Sequence, residues 1–249
     1  MSTWSWAKAS VKGTSHVRAG IRCQDASVCE LAGPNVLAAI VSDGAGSADF
    51  GGEGAALVCR VILQCARQHF SDTNTMPTDD ELWSWLDVVR DRITLAAANR
   101  NIQSRHFAAT LVCLLVSTHE FTLLHIGDGA AVLRSGDAWL VPSWPENGEY
   151  ASTTFFVTDD PAPRLRIVRG RLEVSAVALF TDGLEKLLLN FATGEAHAPF
   201  FAGIFGPLQA NAGNGRMNAL CDNLAKYLDS EAVNRRTDDD KSLILAVRK

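Results

Sequence analysis

Three apolar stretches of this chain each run straight into an Asp-Gly pair: Ala39-Ile-Val-Ser-Asp43-Gly44, Leu124-His-Ile-Gly-Asp128-Gly129 and Leu179-Phe-Thr-Asp182-Gly183. An acidic run, Asp238-Asp239-Asp240, stands just ahead of a fourth apolar stretch, Ser242–Val247. Asp-Gly is also a good tight turn. Asp128 has strand-like segments at hairpin distance on both sides and suits that plainer reading equally well. Asp43 and Asp182 are each followed by a loop or helix, where a hairpin fits poorly. A solvated charge cluster is the plainer reading of 238–240. As a set, carboxylates at the ends of several buried strands can converge on one sheet edge, held rigid by the core. Oxygen donors without His or Cys favour Mg²⁺ or Mn²⁺ over zinc or copper.

Around these ends the hydropathy pattern predicts the elements. Trp4–Val11 alternates like a half-buried strand, Ser27–Leu31 is a shorter strand, and continuously apolar Val36–Val41 is a strand covered on both faces. The glycine-rich loop Asp43–Gly54 feeds a helix with the apolar stripe Ala55, Val58, Cys59, Ile62, Cys65, Ala66 and Phe70. Thr78-x-x-Glu81 reads as a capping box, opening a helix that buries Leu82, Trp85, Leu86, Val89, Ile93 and Ala96. Strands follow at 107–117, 120–126, 130–135 and 138–142, then a short loop or flap region near 143–170. Strands at 164–168 and 172–181, helical segments near 183–191 and 216–228, and a closing strand complete the order. The regular βαβα alternation is missing. The order predicts an α+β fold with helices packed on largely antiparallel sheets.

Composition narrows the functions. The 249 residues suit one large domain or two small ones, and a globule of this size needs no disulfide staples. The formal charge, 23 − 28 = −5, argues against nucleic acid as a partner. The longest apolar runs, Val36–Val41 and Leu111–Val116, fall far short of the ~20 residues of a membrane span. No basic region followed by an apolar stretch opens the chain. A soluble, cytoplasmic protein with no membrane partner is expected. The six cysteines form no Cys-x-x-Cys pair and no zinc-like cluster, and read as reduced, mostly buried thiols. The glycine loop lacks the Lys-Ser/Thr end of a phosphate-binding loop and does not fit Gly-x-Gly-x-x-Gly. Its glycines read as room for a tight backbone path beside a metal.

Six segments then fall into a familiar order. They are Gly13-Thr-Ser-His16 through Cys23-Gln24-Asp25; Val41-Ser-Asp43-Gly44-Ala-Gly46 with Gly51 and Ala55; Phe107-Ala-Ala-Thr110-Leu111; Ile126-Gly127-Asp128-Gly129; Phe180-Thr181-Asp182-Gly183; and Asp239-Asp240-Lys241-Ser242. Over roughly residues 10–247 the chain resembles the metal-dependent Ser/Thr protein phosphatases of the PPM type, protein phosphatase 2C. The resemblance implies a single domain over 1–249, with two antiparallel β-sheets forming a central sandwich flanked by helical layers. It implies two Mn²⁺ or Mg²⁺ ions bridged by Asp43, one of them bound by the Gly44 carbonyl. Asp182 and Asp239 would complete the protein ligands of the other ion, with Asp128 near a third, weaker one. Asp25 would orient metal-bound water, so that Asp43, Asp25 and Asp182 form the catalytic set. The implied activity is hydrolysis of phosphoserine and phosphothreonine in proteins, by a water bridging two cations. Phosphorylated proteins and a cognate Ser/Thr kinase are the implied partners.

Three departures from the family pattern stand out. Gln24 occupies the place of a carboxylate ligand to the second ion. Gly20 stands where a phosphate-gripping arginine is usual, with Arg18 and Arg22 both nearby. The flap region is short. These departures define the alternative, a phosphatase-fold module that binds or senses phosphoproteins without turnover; a hydrolase of small phosphoesters would share the site. His16 reads either as a general acid beside Asp25 or as a loop histidine making a local hydrogen bond. Trp4, Trp6, Trp83 and Trp85 read as packing residues. Arg164, Arg166, Arg169 and Arg171 read as one solvated face.

Overall fold

A computed structural model describes residues 3–146 and 154–249. Its strands are β1 (Trp4–Val11), β2 (Asp25–Gly33), β3 (Val36–Asp43), β4 (Leu111–Val116), β5 (Phe121–Ile126), β6 (Ala130–Ser135), β7 (Ala138–Leu140), β8 (Arg166–Gly170), β9 (Ala176–Phe180), β10 (Leu189–Asn190), β11 (Glu195–Ala196), β12 (Gly215–Arg216) and β13 (Lys241–Arg248). The helices are α1 (Thr14–Ala19), α2 (Gly51–Asp72), α3 (Asp79–Ala98), α4 (Glu185–Leu188), α5 (Ala198–Ile204), α6 (Gly206–Ala210), α7 (Asn218–Leu228) and α8 (Glu231–Asn234). One sheet runs β12-β1-β13-β9-β6-β7, antiparallel except where β12 pairs with β1. The other, β2-β3-β4-β5-β8, is antiparallel throughout.

The period of two along each strand divides its residues between two cores. Leu37, Ala39 and Val41 of β3 join Trp4, Trp6, Ile244 and Ala246 in the core between the sheets. The alternate residues Ala38 and Ile40 pack with α2 and α3 outside. On β13, Leu243, Leu245 and Val247 turn outward to a third cluster that includes residues of α5, α6 and α7. The α+β sandwich with helices on both outer faces is therefore the direct product of strand periodicity. Thr78 closes the expected capping box with Glu81, although Ala97, not Ala96, completes the buried face of α3. The cysteines are all free, and four are buried.

Two expectations fail, and for the same reason. β5 and β6 flank Asp128-Gly129 as hairpin strands would, yet they pair in different sheets. The turn carries the chain across the sandwich, helped by Gly127 at φ +98°. The arginines likewise do not share one solvated face. Arg166 lies opposite His125 in the β5–β8 register and donates to its Nδ1 (3.0 Å), whereas Arg169 lies opposite Thr122 and reaches Asp79 at 2.6 Å. Arg164 pairs with Glu146 at 3.0 Å. Strand partners across the sheet decide both cases. Residues 147–153 of the expected flap region lie outside the described residues.

Candidate metal centre

The first motif and the second meet as cross-strand neighbours: Asp25, opening β2, lies directly opposite Asp43, closing β3. Like charges so placed repel, and the structure shows what holds them there. The Asp43 N–H donates to Thr110 Oγ1 (3.0 Å), and the Thr110 N–H donates back to the Asp43 carbonyl (2.8 Å). Asp25 Oδ2 accepts from Thr181 Oγ1 at 2.7 Å, and Thr181 Oγ1 in turn accepts from the Ser242 N–H at 3.0 Å. One hydroxyl thus ties the acid of the five-stranded sheet to the six-stranded one.

The glycines of the Asp-Gly pairs are required by close backbone approach. A Cβ on Gly44 would lie 2.2 Å from the Gly51 carbonyl carbon, and one on Gly183 2.0 Å from the Asp240 carbonyl oxygen. Neither distance is tolerable for any side chain, so each of these Asp residues is followed by glycine because other backbone passes there, that of Gly51 in the same segment at Gly44 and that of Asp240 in the last segment at Gly183. The plain-turn reading of Asp43 and Asp182 is thereby replaced by a packing reason.

Four strand ends deliver their acids to one cleft of about 970 Å³. Asp43, Asp128, Asp182 and Asp239 line it, with Gly44, Gln24, His16, Asp159, Glu185 and Lys186. Asp25 lies beneath, half-buried, with its Oδ1 out of reach of solvent. The three consecutive acids at 238–240 separate. Asp238 faces out to Arg18 (3.0 Å), Asp239 faces the cleft, and Asp240 turns inward. Its carboxylate accepts from the Gly13 N–H (2.6 Å) and the Gln24 N–H (2.5 Å). Neither Arg18 nor Arg22 lines the cleft; His16 and Lys186 do. A second cavity, about 450 Å³ between α5, α6 and α7, is walled mainly by apolar side chains and offers no comparable chemistry.

The carboxyl groups are strained electrostatically. Burial raises Asp25 to about 7. It raises Asp182 to about 8, with the charges of Asp128, Asp239, Asp25 and Glu185 adding to it. Asp43 is pushed well above the ordinary aspartate value by burial and by Asp25, Asp182 and Asp239, and Asp128 is raised chiefly by burial. Oδ1 of Asp25 and Oδ1 of Asp128 are buried with no hydrogen-bond partner among the described residues. Among the described residues no three His, Cys, Asp or Glu side chains converge as a ready-made ligand set. An all-oxygen donor set, mutual repulsion and two orphaned carboxylate oxygens nevertheless fit a hard cation. Mg²⁺ characteristically takes one or two carboxylates and keeps several waters, so three converging side chains are not a requirement.

Thr110, Thr181 and Asp240 hold this arrangement, yet sequence reasoning assigned them no role. Thr181 stood beside Asp182 in its own motif, and a hydroxyl preceding a buried acid was the available signal. Lys186 and Glu185 had none beyond their place four and three residues after Asp182.

A family profile described as protein phosphatase 2C matches residues 12–229. Serine/threonine-protein phosphatase 3 of Escherichia coli (strain K12) is 36% identical over 250 residues, covering 98% of each chain. Among solved structures, PppA, described as a key regulatory component of T6SS in Pseudomonas aeruginosa, superposes with a TM-score of 0.65 at 17% identity and 100% coverage of both chains. The serine/threonine phosphatase Stp1 from Staphylococcus aureus gives 0.63 at 16% identity, over 97% of this chain and 94% of its own. The chain belongs to the protein phosphatase 2C family, whose members are metal-dependent serine/threonine phosphatases and hence hydrolases.

Proposed function

We propose that residues 1–249 act as one phosphatase domain on phosphoserine and phosphothreonine of proteins, with Asp43, the Gly44 carbonyl, Asp182 and Asp239 holding two Mn²⁺ or Mg²⁺ ions. Gln24 stands at the second ion and Asp128 at a third, weaker position. The observation that carries this reading is the crowding of Asp43, Asp128, Asp182 and Asp239 on one cleft, where Asp43, Asp128 and Asp182 are partly buried and held above their ordinary pKa. Carboxylates arranged at such cost are stabilised in their charged form by cations, and without them by taking up protons.

When bound, the two ions supply an activated water and offset the charge of the phosphoryl oxygens. The chain's own residues do the rest. Asp25, anchored through Oδ2 by Thr181, keeps Oδ1 free to accept a hydrogen bond from water beneath the cleft. Lys186 brings a positive charge to the cleft wall, where the arginine usual in the family is missing. The cytoplasm is the proposed compartment, and a cognate Ser/Thr kinase the proposed counterpart, a view supported by the regulatory description of PppA. Among the described residues no helix is long and apolar enough to cross a membrane. The non-hydrolysing module is not favoured, because Asp43, Asp182 and Asp239 line one cleft and Asp25 stands opposite Asp43 on the neighbouring strand.

Asp43→Asn tests the assignment. It should abolish turnover at saturating Mn²⁺ while the metal-free thermal transition stays level or rises, since a repelled charge is removed. A variant that keeps a tenth of wild-type activity removes Asp43 from the site.

A further inference from the structure

His16 sits on α1, a helix of six residues with no buried side chain. The 238–240 turn holds it in place. The Ser15 N–H and Oγ both donate to the Asp238 carbonyl (2.9 and 2.6 Å), and Arg18 reaches the Asp238 side chain. The His16 Nδ1 is buried, 3.0 Å from Asp240 Oδ2, at ion-pair distance but off the line of a hydrogen bond. Asp240, not Asp25, is therefore its acidic neighbour. The Asp240 side chain is 1% exposed while that of His16 keeps 16%. The ring lines the cleft, and its Nε2 has no protein partner among the described residues. A carboxylate behind and open cleft in front suit an imidazole that carries a proton at Nε2.

The chemistry needs such a group. Seryl and threonyl oxygens leave poorly as alkoxides, whereas a positioned acid gives them a proton as the bond breaks. Of the described residues lining the cleft, His16 is the one imidazole, and Lys186 is exposed to solvent. Resting on the phosphatase reading above, we infer that His16 is the proton donor to the departing seryl or threonyl oxygen, with Asp240 as its positioning residue. In that step a water oxygen bonds to phosphorus as the phosphorus–Oγ bond breaks. The electron pair of that bond goes to Oγ, which takes the Nε2 proton and departs as the alcohol. The water's proton passes to solvent, and a solvent proton restores His16, leaving alcohol and inorganic phosphate as products.

The test compares two substrates whose leaving groups differ. Wild type, His16→Gln and His16→Asn, all at saturating Mn²⁺, are assayed on a phosphothreonine peptide and on p-nitrophenyl phosphate, whose phenolate leaves without a proton. The variants should lose about a hundredfold or more in kcat on the peptide but less than about threefold on the aryl ester. Equal losses on both substrates overturn the proposal and reduce His16 to a support of α1. A wild type silent on both overturns the phosphatase reading and the proposal with it. Should neither variant fold, a series of wild-type rates on aryl and alkyl phosphates decides. A shallow dependence on leaving-group pKa supports a proton donor, and a steep one overturns it.

Discussion

Replacing Asp182 by Asn should make the metal-free protein more stable, and increasingly so as pH rises. Burial, with the charges of Asp128, Asp239, Asp25 and Glu185, holds the folded Asp182 at about 8, against 3.8 for an ordinary aspartate. A folded-state value above the unfolded one means that the folded protein holds the extra proton between them. Stability from this group is complete below the unfolded value and is lost as pH climbs towards the folded one. Linkage gives about 1.4 kcal/mol per pH unit for each proton so held, tapering near the folded value, hence about 2 kcal/mol between pH 6 and 8. For a chain of this size that is about 4–8 °C in Tm. Asp182→Asn carries no such proton. Thermal melts of both proteins in excess chelator at pH 6, 7 and 8 should therefore show the variant's advantage widening by that amount. Saturating Mn²⁺ should restore the wild type through binding to its folded state alone. Melting curves that shift in parallel across this range would refute the electrostatic reading of the cleft.

Gly183→Ala forces a Cβ to within 2.0 Å of the Asp240 carbonyl oxygen. It should cost about 1–3 kcal/mol by overpacking, and about a hundredfold in kcat as the 239–240 segment is displaced; a silent substitution in melts and kinetics would remove the packing reason for the third Asp-Gly. Gln24→Glu, at a position that lines the cleft and whose N–H is fixed by Asp240, adds a full negative charge where an amide has only a dipole. It should lower the Mn²⁺ concentration for half-maximal rate roughly tenfold, which corresponds to 1.4 kcal/mol. Metal titrations by rate and by calorimetry that superimpose for the two proteins would show that Gln24 does not face the ion.

Much of this architecture was legible in residue order because it follows from local periodicity. Leu37, Ala39 and Val41 against Ala38 and Ile40 announce a strand buried on both faces, and the Thr78–Glu81 box announces the start of α3. The acids that line the cleft were legible as strand ends. What could not be read was pairing at a distance. Asp128-Gly129 has the same local signal whether its flanking strands pair with each other or with different sheets, and only partners far along the chain decide. Asp238, Asp239 and Asp240 are chemically identical, yet backbone direction sends one to solvent, one to the cleft and one to the Gly13 and Gln24 amides. The helix α1 has no apolar stripe at all and is defined by the turn that pins it. Sequence therefore indicated which acids stand at the cleft, while their supports emerged from tertiary contacts.

Metal-dependent hydrolysis of phosphoserine and phosphothreonine at the cleft of Asp43, Asp128, Asp182 and Asp239 is read out as phosphate release from a phosphopeptide. The purified chain should release no phosphate in excess chelator. It should turn over phosphothreonine and phosphoserine peptides once Mn²⁺ or Mg²⁺ is restored, and the same addition should fail to revive Asp43→Asn. Phosphate release that persists in chelator, or that survives the Asp43 substitution when metal is present, would contradict the account.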